Sequence, residues 1–213
     1  MVEGGGEGVI KVENIEVYNL ARAIYSARNA MNSWDRSDSD LENDIIGEND
    51  LELMRKLVRA GSPHRKFLRQ IFVTMDITTN HTHWAEIDTY KIGVTRNSCS
   101  KMHSIHKKEF TMDDFTHEST DQIPLIKEHM EETIDKLNAL RKKYIETGDR
   151  MYWRAIIDIL PMSYNLRATV TMNYENVLNI IEQRSGHKLD EWNSFIEELK
   201  MLPYMDCILE GLG

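Results

Sequence analysis

The sequence predicts an α+β fold, a small antiparallel-containing sheet packed with helices, and three observations carry that prediction. Two short segments, residues 71–78 and 166–173, alternate apolar and polar side chains, the period-two pattern of half-buried strands. Several longer segments repeat apolar residues every three or four positions, the helical period. Gly61, Gly148 and Pro161 stand at the ends of such segments rather than inside them, where helices stop.

The elements follow in chain order. Residues 17–31 carry Val17, Leu20, Ala21, Ile24, Ala27 and Met31 at helical spacing. A polar, acidic loop leads to Asn49, a candidate N-cap. The next helix sets Leu51, Met54, Leu57 and Val58 on one face and stops at Gly61. Ile71, Val73, Met75 and Ile77 then alternate with Phe72, Thr74, Asp76 and Thr78, a strand with one largely polar face. A short helix is expected over 81–91, and 104–118 reads as irregular. Residues 121–145 form the clearest helix, with Ile123, Ile126, Met130, Ile134, Leu137, Leu140 and Tyr144 in register, Pro124 in the first turn and Gly148 closing it. Another helix ends before Pro161. In the second strand Leu166, Ala168, Val170 and Met172 take one face and Arg167, Thr169, Thr171 and Asn173 the other. Asn173 can cap the helix that follows, and a last helix carries Leu189, Trp192, Phe195, Ile196 and Leu199.

A chain of 213 residues fits one domain, residues 1–213, and can bury a core without disulfides or metals. Its formal net charge of −9 argues against a broad nucleic-acid interface, which needs a basic footprint. A local cationic pocket for a small anion is compatible with that charge. Cys99 and Cys207 make no disulfide framework, which suits a reducing cytoplasm. No apolar run reaches membrane-spanning length. The Gly-rich opening is expected to be flexible over residues 1–12.

Two segments carry candidate chemistry. Arg167 sits mid-strand among Thr169, Thr171 and Asn173. Such a face is either a solvated sheet surface or the lining of a cleft, where a guanidinium fork takes two oxygens of a phosphate or carboxylate. Residues 89–103, "TYKIGVTRNSCSKMH", offer Ser98 and Ser100 with nearby amides, and charge from Lys91, Arg96 or Lys101. They read equally as a solvated loop or an anion cradle. Cys99 near His103 and His106 is a weaker candidate nucleophile. His81, His83, Cys99, His103 and His106 match no paired zinc spacing, so no metal is assigned. Neither a Gly-rich phosphate loop nor a Ser-His-Asp pattern is visible.

The C-terminal half, "ILPMSYNLRATVTMNYENVLNIIEQR", resembles a motif region of the flavin-dependent thymidylate synthases. That family shows a Leu-Pro, an arginine six residues after the proline, an alternating strand, an Asn, and a helix ending Asn-Leu-Arg. Here these stand as Leu160-Pro161, Arg167, the strand to Met172, Asn173 and Glu182-Gln183-Arg184, without a gap. Residues 90–102 fall where the family carries Arg-His-Arg-x-x-Ser-x-Asn-Glu-x-Ser-x-Arg. Asn97 and Ser100 match and Thr95 replaces the first Ser. Tyr90, Lys91 and Ile92 replace Arg-His-Arg, Ser98 replaces Glu, and Met102 replaces the last Arg. The resemblance covers most of residues 17–203.

It implies a thymidylate synthase-complementing-protein-like fold, assembled as a homotetramer with FAD and deoxyuridine monophosphate at subunit interfaces. It implies methylation of that nucleotide to thymidine monophosphate, with NADPH and methylenetetrahydrofolate as co-substrates and no protein nucleophile. Residue by residue, Arg167, Asn97, Ser98, Ser100 and Lys101 would hold the nucleotide. Tyr90, Lys91, Asn173, Arg184 and His187 would face the flavin. No membrane or nucleic-acid partner is implied. The replaced Arg-His-Arg triplet leaves a second reading open, a scaffold that binds a nucleotide or other phosphorylated ligand without flavin. A third reading, less favoured, centres an enzyme on Cys99.

Overall fold

The computed structural model describes residues 10–212, and its backbone divides into two compact units. The first comprises residues up to Ile77, Tyr90–Arg96 and Thr169 onward; the second comprises Thr78–Thr89 and Asn97–Ala168. Strands β1 (Lys11–Tyr18), β2 (Phe72–Asn80), β3 (Thr95–Ser98) and β4 (Asn165–Asn173) form an antiparallel sheet in the order β1-β2-β4-β3. Helices run in chain order as α1 (Leu20–Ala27), α2 (Glu48–Arg59), α3 (His81–Ile87), α4 (Lys101–Ser104), α5 (Glu118–Gln122), α6 (Pro124–Thr147), α7 (Arg150–Ile159), α8 (Tyr174–Arg184), α9 (Asp190–Lys200) and α10 (Met205–Glu210). The expected α+β class holds.

Both alternating strands present the faces their period predicts. Val73, Met75 and Ile77 on β2, and Ala168, Val170 and Met172 on β4, are at most 1% exposed. Across the other face Thr74 and Thr171 share a hydrogen bond at 2.9 Å. The Asp76 carboxylate accepts from the Thr169 hydroxyl and the Asn14 amide. Cross-strand polar pairs of this kind stabilise a wet sheet face.

Strand β1 was not legible as a strand, and it corrects two expectations. Of the twelve residues expected to be flexible, 1–9 lie outside the described residues, Ile10 is buried, and Lys11 and Val12 are in β1. The helix expected from residue 17 begins at Leu20. Val17 and Tyr18 remain extended, and Asn19 turns the chain at φ +71°. The Leu20 and Ala21 amides then donate to the Asp44 carboxylate at 3.0 and 2.7 Å. An acceptor borrowed from a distant loop thus satisfies amides that helix starts leave open.

Helix α2 is capped in the same borrowed manner. Its N-cap is Gly47 rather than Asn49, which lies inside the first turn. The Asp38 carboxylate accepts from the Asn49 and Asp50 amides at 2.9 and 3.2 Å. An added Cβ at Gly47 would lie 2.3 Å from the Asp38 carboxyl carbon, so the glycine makes the room. Asp50 itself is fully buried. One of its oxygens takes the Arg28 guanidinium at 2.6 Å, and the other takes the Ser37 and Ser39 hydroxyls at 2.5 and 2.6 Å. Only such complete pairing makes a buried carboxylate tolerable. Around it α1 packs on α2, α10 on α2 and α8 on α9. Tyr174, Trp192 and Phe195 are the largest fully buried rings of this unit.

The second unit is built on α6 against α7. Ile105, Phe110, Phe115, Met130, Leu137 and Ile156 form its buried cluster. The helix expected from residue 121 is broken at Ile123, which is extended (φ −118°, ψ 102°). A proline disfavours helical geometry in the residue before it, so Pro124 starts α6 and leaves α5 as a separate turn. Gly148, at φ +69°, closes α6 as expected. Residues 104–118, expected to be irregular, hold a 3-10 turn, Met112–Asp114, closed by a reciprocal Thr111–Asp114 capping box. Among the described residues no helix is long and apolar enough to cross a membrane.

Hydrogen bonds from the Asn49 amide, then from that of Asp50, hold the Asp38 carboxyl below the ordinary aspartate range. Its depressed folded value stabilises the protein at neutral pH, and that contribution is lost as pH falls through it. Asp38→Ala is therefore expected to cost about 1 kcal/mol at neutral pH. In urea melts the gap from wild type should close on acidification.

Candidate functional site

Residues expected to hold the nucleotide all lie in the second unit. Asn97 and Ser98 are exposed on β3, and Ser100 is exposed at the head of α4. Arg167 is exposed on β4. The Cys99 amide donates to the Arg167 carbonyl at 3.0 Å, which fastens the 98–101 segment to the strand that carries the guanidinium. Lys101 is half-buried, with Nζ 3.0 Å from Nε2 of His81. Ser98 on β3, Ser100 and Lys101 at the head of α4, and Arg167 on the adjoining β4 supply two hydroxyls, an ammonium and a guanidinium, a donor set suited to a phosphate.

The His81 ring edge meets Tyr164 at 5.9 Å between centroids, and the His81 amide donates to the Met162 carbonyl at 3.0 Å. Burial, followed by the charges of Asp114 and Cys99, pushes the Tyr164 hydroxyl's pKa up. Cys99 is a free, exposed thiol. His106 packs its ring edge on Tyr144 at 5.0 Å, and no hydrogen bond joins Cys99 to His103 or His106 among the described residues.

Residues expected to face the flavin all lie in the first unit, and Arg184 contacts two of the others. Its Nε donates to the Tyr90 hydroxyl at 3.1 Å, and Nη1 lies 3.4 Å from Nε2 of His187. Its guanidinium carbon sits 4.9 Å from the Trp192 ring centroid and 5.7 Å from that of Tyr90. A cation between two aromatic faces is held by their quadrupoles and loses little hydration in the process. The Tyr90 hydroxyl also donates to Gln183 at 3.2 Å. Lys91 is exposed beside this cluster in sequence.

Asn173 does the capping its position promised. Its side chain accepts from the Asn176 amide at 3.0 Å, which ends β4 and starts α8. Asn176 in turn donates from Nδ2 to the Ile92 carbonyl at 2.7 Å. Gly93 sits so close that an added Cβ would lie 2.6 Å from Nδ2 of Asn173. The 90–93 segment is thereby pinned to the head of α8.

Trp192, Asn176, Gly93 and His81 were not singled out for these roles. Trp192 read only as core, and it is core, at 0% exposed, while also underlying Arg184. The spacing Asn173-x-x-Asn176 was a signal for a capped start whose second amide is left to bind elsewhere.

The family model for thymidylate synthase complementing protein matches residues 11–200. The chain belongs to the thymidylate synthase complementing protein family. Two solved structures of flavin-dependent thymidylate synthase ThyX from Helicobacter pylori, each with FAD and dUMP, share the fold of this family member. One aligns at TM-score 0.70 and 17% identity over 95% of this chain and 100% of that one. The other aligns at TM-score 0.70 and 16% identity over 95% of this chain and 99% of that one. At such identity the likeness is one of fold. Among curated proteins none matches the sequence.

The Gly93 contact generates a stability prediction for this family member. Gly93 has φ +77°, where an added side chain is strained, and the Cβ would also displace Asn173. Gly93→Ala is expected to destabilise by about 2 kcal/mol, combining roughly 1 from the left-handed backbone with roughly 1 from crowding. Chemical denaturation checks it. An unchanged midpoint would mean that the 90–93 segment does not rest on the α8 cap.

Proposed function

We propose that this protein is a flavin-dependent thymidylate synthase, methylating deoxyuridine monophosphate to thymidine monophosphate. The observation that carries the reading is Arg167, exposed on a polar strand whose backbone is tied to the Ser98–Lys101 segment, in a chain whose family match spans residues 11–200. Arg167 would take two phosphate oxygens as a fork, and the Ser98 and Ser100 hydroxyls would donate to the others. Lys101 adds a point charge to the same dianion. The Helicobacter pylori structures are complexes with FAD and dUMP, and the same pair is proposed here.

The first unit's residues fit a flavin dinucleotide in chemistry. Arg184 and Lys91 supply cations for its pyrophosphate, Tyr90 an aromatic edge and His187 a further polar contact. Asn173 keeps its cap and presents its amide at the Gly93 segment. Bound flavin would supply the hydride chemistry, and the chain's own residues would bind and orient. NADPH and methylenetetrahydrofolate are the proposed co-substrates. We further propose a homotetramer working in the cytoplasm.

One observation favours the runner-up. Tyr90 stands where the family has an arginine and occupies Nε of Arg184, so the cluster carries fewer cations than the family pattern. A scaffold that binds the nucleotide without flavin would use the Arg167 set alone.

Growth of a thymidine-requiring host separates the readings. The gene is expected to restore growth without thymidine, and Arg167→Ala to abolish that rescue. The purified variant should bind deoxyuridine monophosphate roughly a hundredfold more weakly, as expected when charge-assisted bonds of ~1.5–3 kcal/mol each are lost. No rescue, together with a melting shift by the nucleotide that is indifferent to FAD, would select the scaffold reading.

A further inference from the structure

We infer that His81 is a positioning residue for the substrate phosphate, acting through Lys101. This rests on the proposed nucleotide site and deepens it, because neither the family pattern nor the sequence reading gave His81 a part in binding. An ammonium has donors and no acceptor, so the 3.0 Å contact requires Nε2 of His81 to accept.

Its place is fixed independently of Lys101. The His81 amide is bonded to the Met162 carbonyl, and the ring edge rests on Tyr164. Asn80 caps α3 immediately before it, accepting from the His83 amide at 2.9 Å. The acceptor nitrogen is thus set on a rigid strand-to-helix corner. Lysine side chains lose several rotatable bonds' worth of freedom when they bind, and a fixed acceptor reduces that loss beforehand.

The arrangement answers a deficit in the signature. Met102 stands where the family pattern ends in arginine, and Lys101 is the neighbouring cation. A lysine offers a point charge without the planar fork of an arginine. Direction must therefore come from outside the side chain. The His81 contact gives it while the Cys99 amide holds the same segment to the Arg167 backbone. The ligand class this favours is a phosphate monoester dianion, which gains from a second directed cation beside Arg167.

The test is a binding cycle on the full chain with FAD present, titrated with dUMP at neutral pH by calorimetry. His81→Leu and Lys101→Met are each expected to weaken binding roughly tenfold. The double variant should be no weaker than Lys101→Met alone, because His81 acts only through that lysine. His81→Gln, which keeps an acceptor, should restore affinity. Additive losses in the double variant, or no rescue by Gln in a folded protein, would overturn the inference. Where His81→Leu does not fold, Lys101→Met decides: unchanged dUMP affinity overturns the inference, and weakened affinity with retained FAD supports it. If the wild type binds no dUMP, the functional reading fails and this role with it. Loss on Arg167→Ala with no loss on Lys101→Met overturns the His81 role alone.

Discussion

The junction between β4 and α8 is the constraint on which the Arg184 cluster of the first unit depends. Asn173 ends the strand that carries Arg167 and caps the helix that carries Arg184. Its partner Asn176 reaches the Ile92 carbonyl, and Gly93 gives way to Asn173 because it has no side chain. One short sequence thereby fixes the strand end, the helix start and the 90–93 segment. Helix α8 then carries that order along its length, since Gln183 and Arg184 both meet Tyr90 at the far end.

The two units solve burial of charge in different ways. In the first, Asp50 is enclosed and fully paired, and Arg65 and Glu175 form a second buried pair at 3.2 Å. Such pairs contribute little net stability, yet breaking one leaves an uncompensated charge that costs about 3–5 kcal/mol. They make the surrounding loops specific rather than merely compact. In the second unit the buried cluster is apolar, and the His81–Lys101 contact lies outside it.

Much of this fold was legible because hydrophobic period and burial agree. Strand β4 and helices α7 and α8 have the bounds their patterns suggest, with Asn173 as the cap between strand and helix. Strand β1 was opaque because its side chains lie mostly exposed, so no alternation survives, and Asn14 interrupts it at φ +52°. Strand β3 is four polar residues on a sheet edge, indistinguishable in sequence from a loop. Caps contributed by Asp38 and Asp44 are long-range contacts that local patterns do not encode. At the site, the resemblance singled out Arg167 and Arg184, whereas their supports were hidden. His81 read as a stray histidine and Trp192 as core, and only the folded chain gives them neighbours.

By the resemblance, Tyr90, Lys91 and Ile92 stand for the family's Arg-His-Arg, an exchange of charge for an aromatic clamp on Arg184. Whether that exchange keeps a flavin is the central physical question, and the visible spectrum of the purified, FAD-incubated protein addresses it directly. The account predicts a yellow protein that retains flavin absorbance after exhaustive removal of free cofactor. A colourless protein that retains no flavin after the same treatment would contradict it.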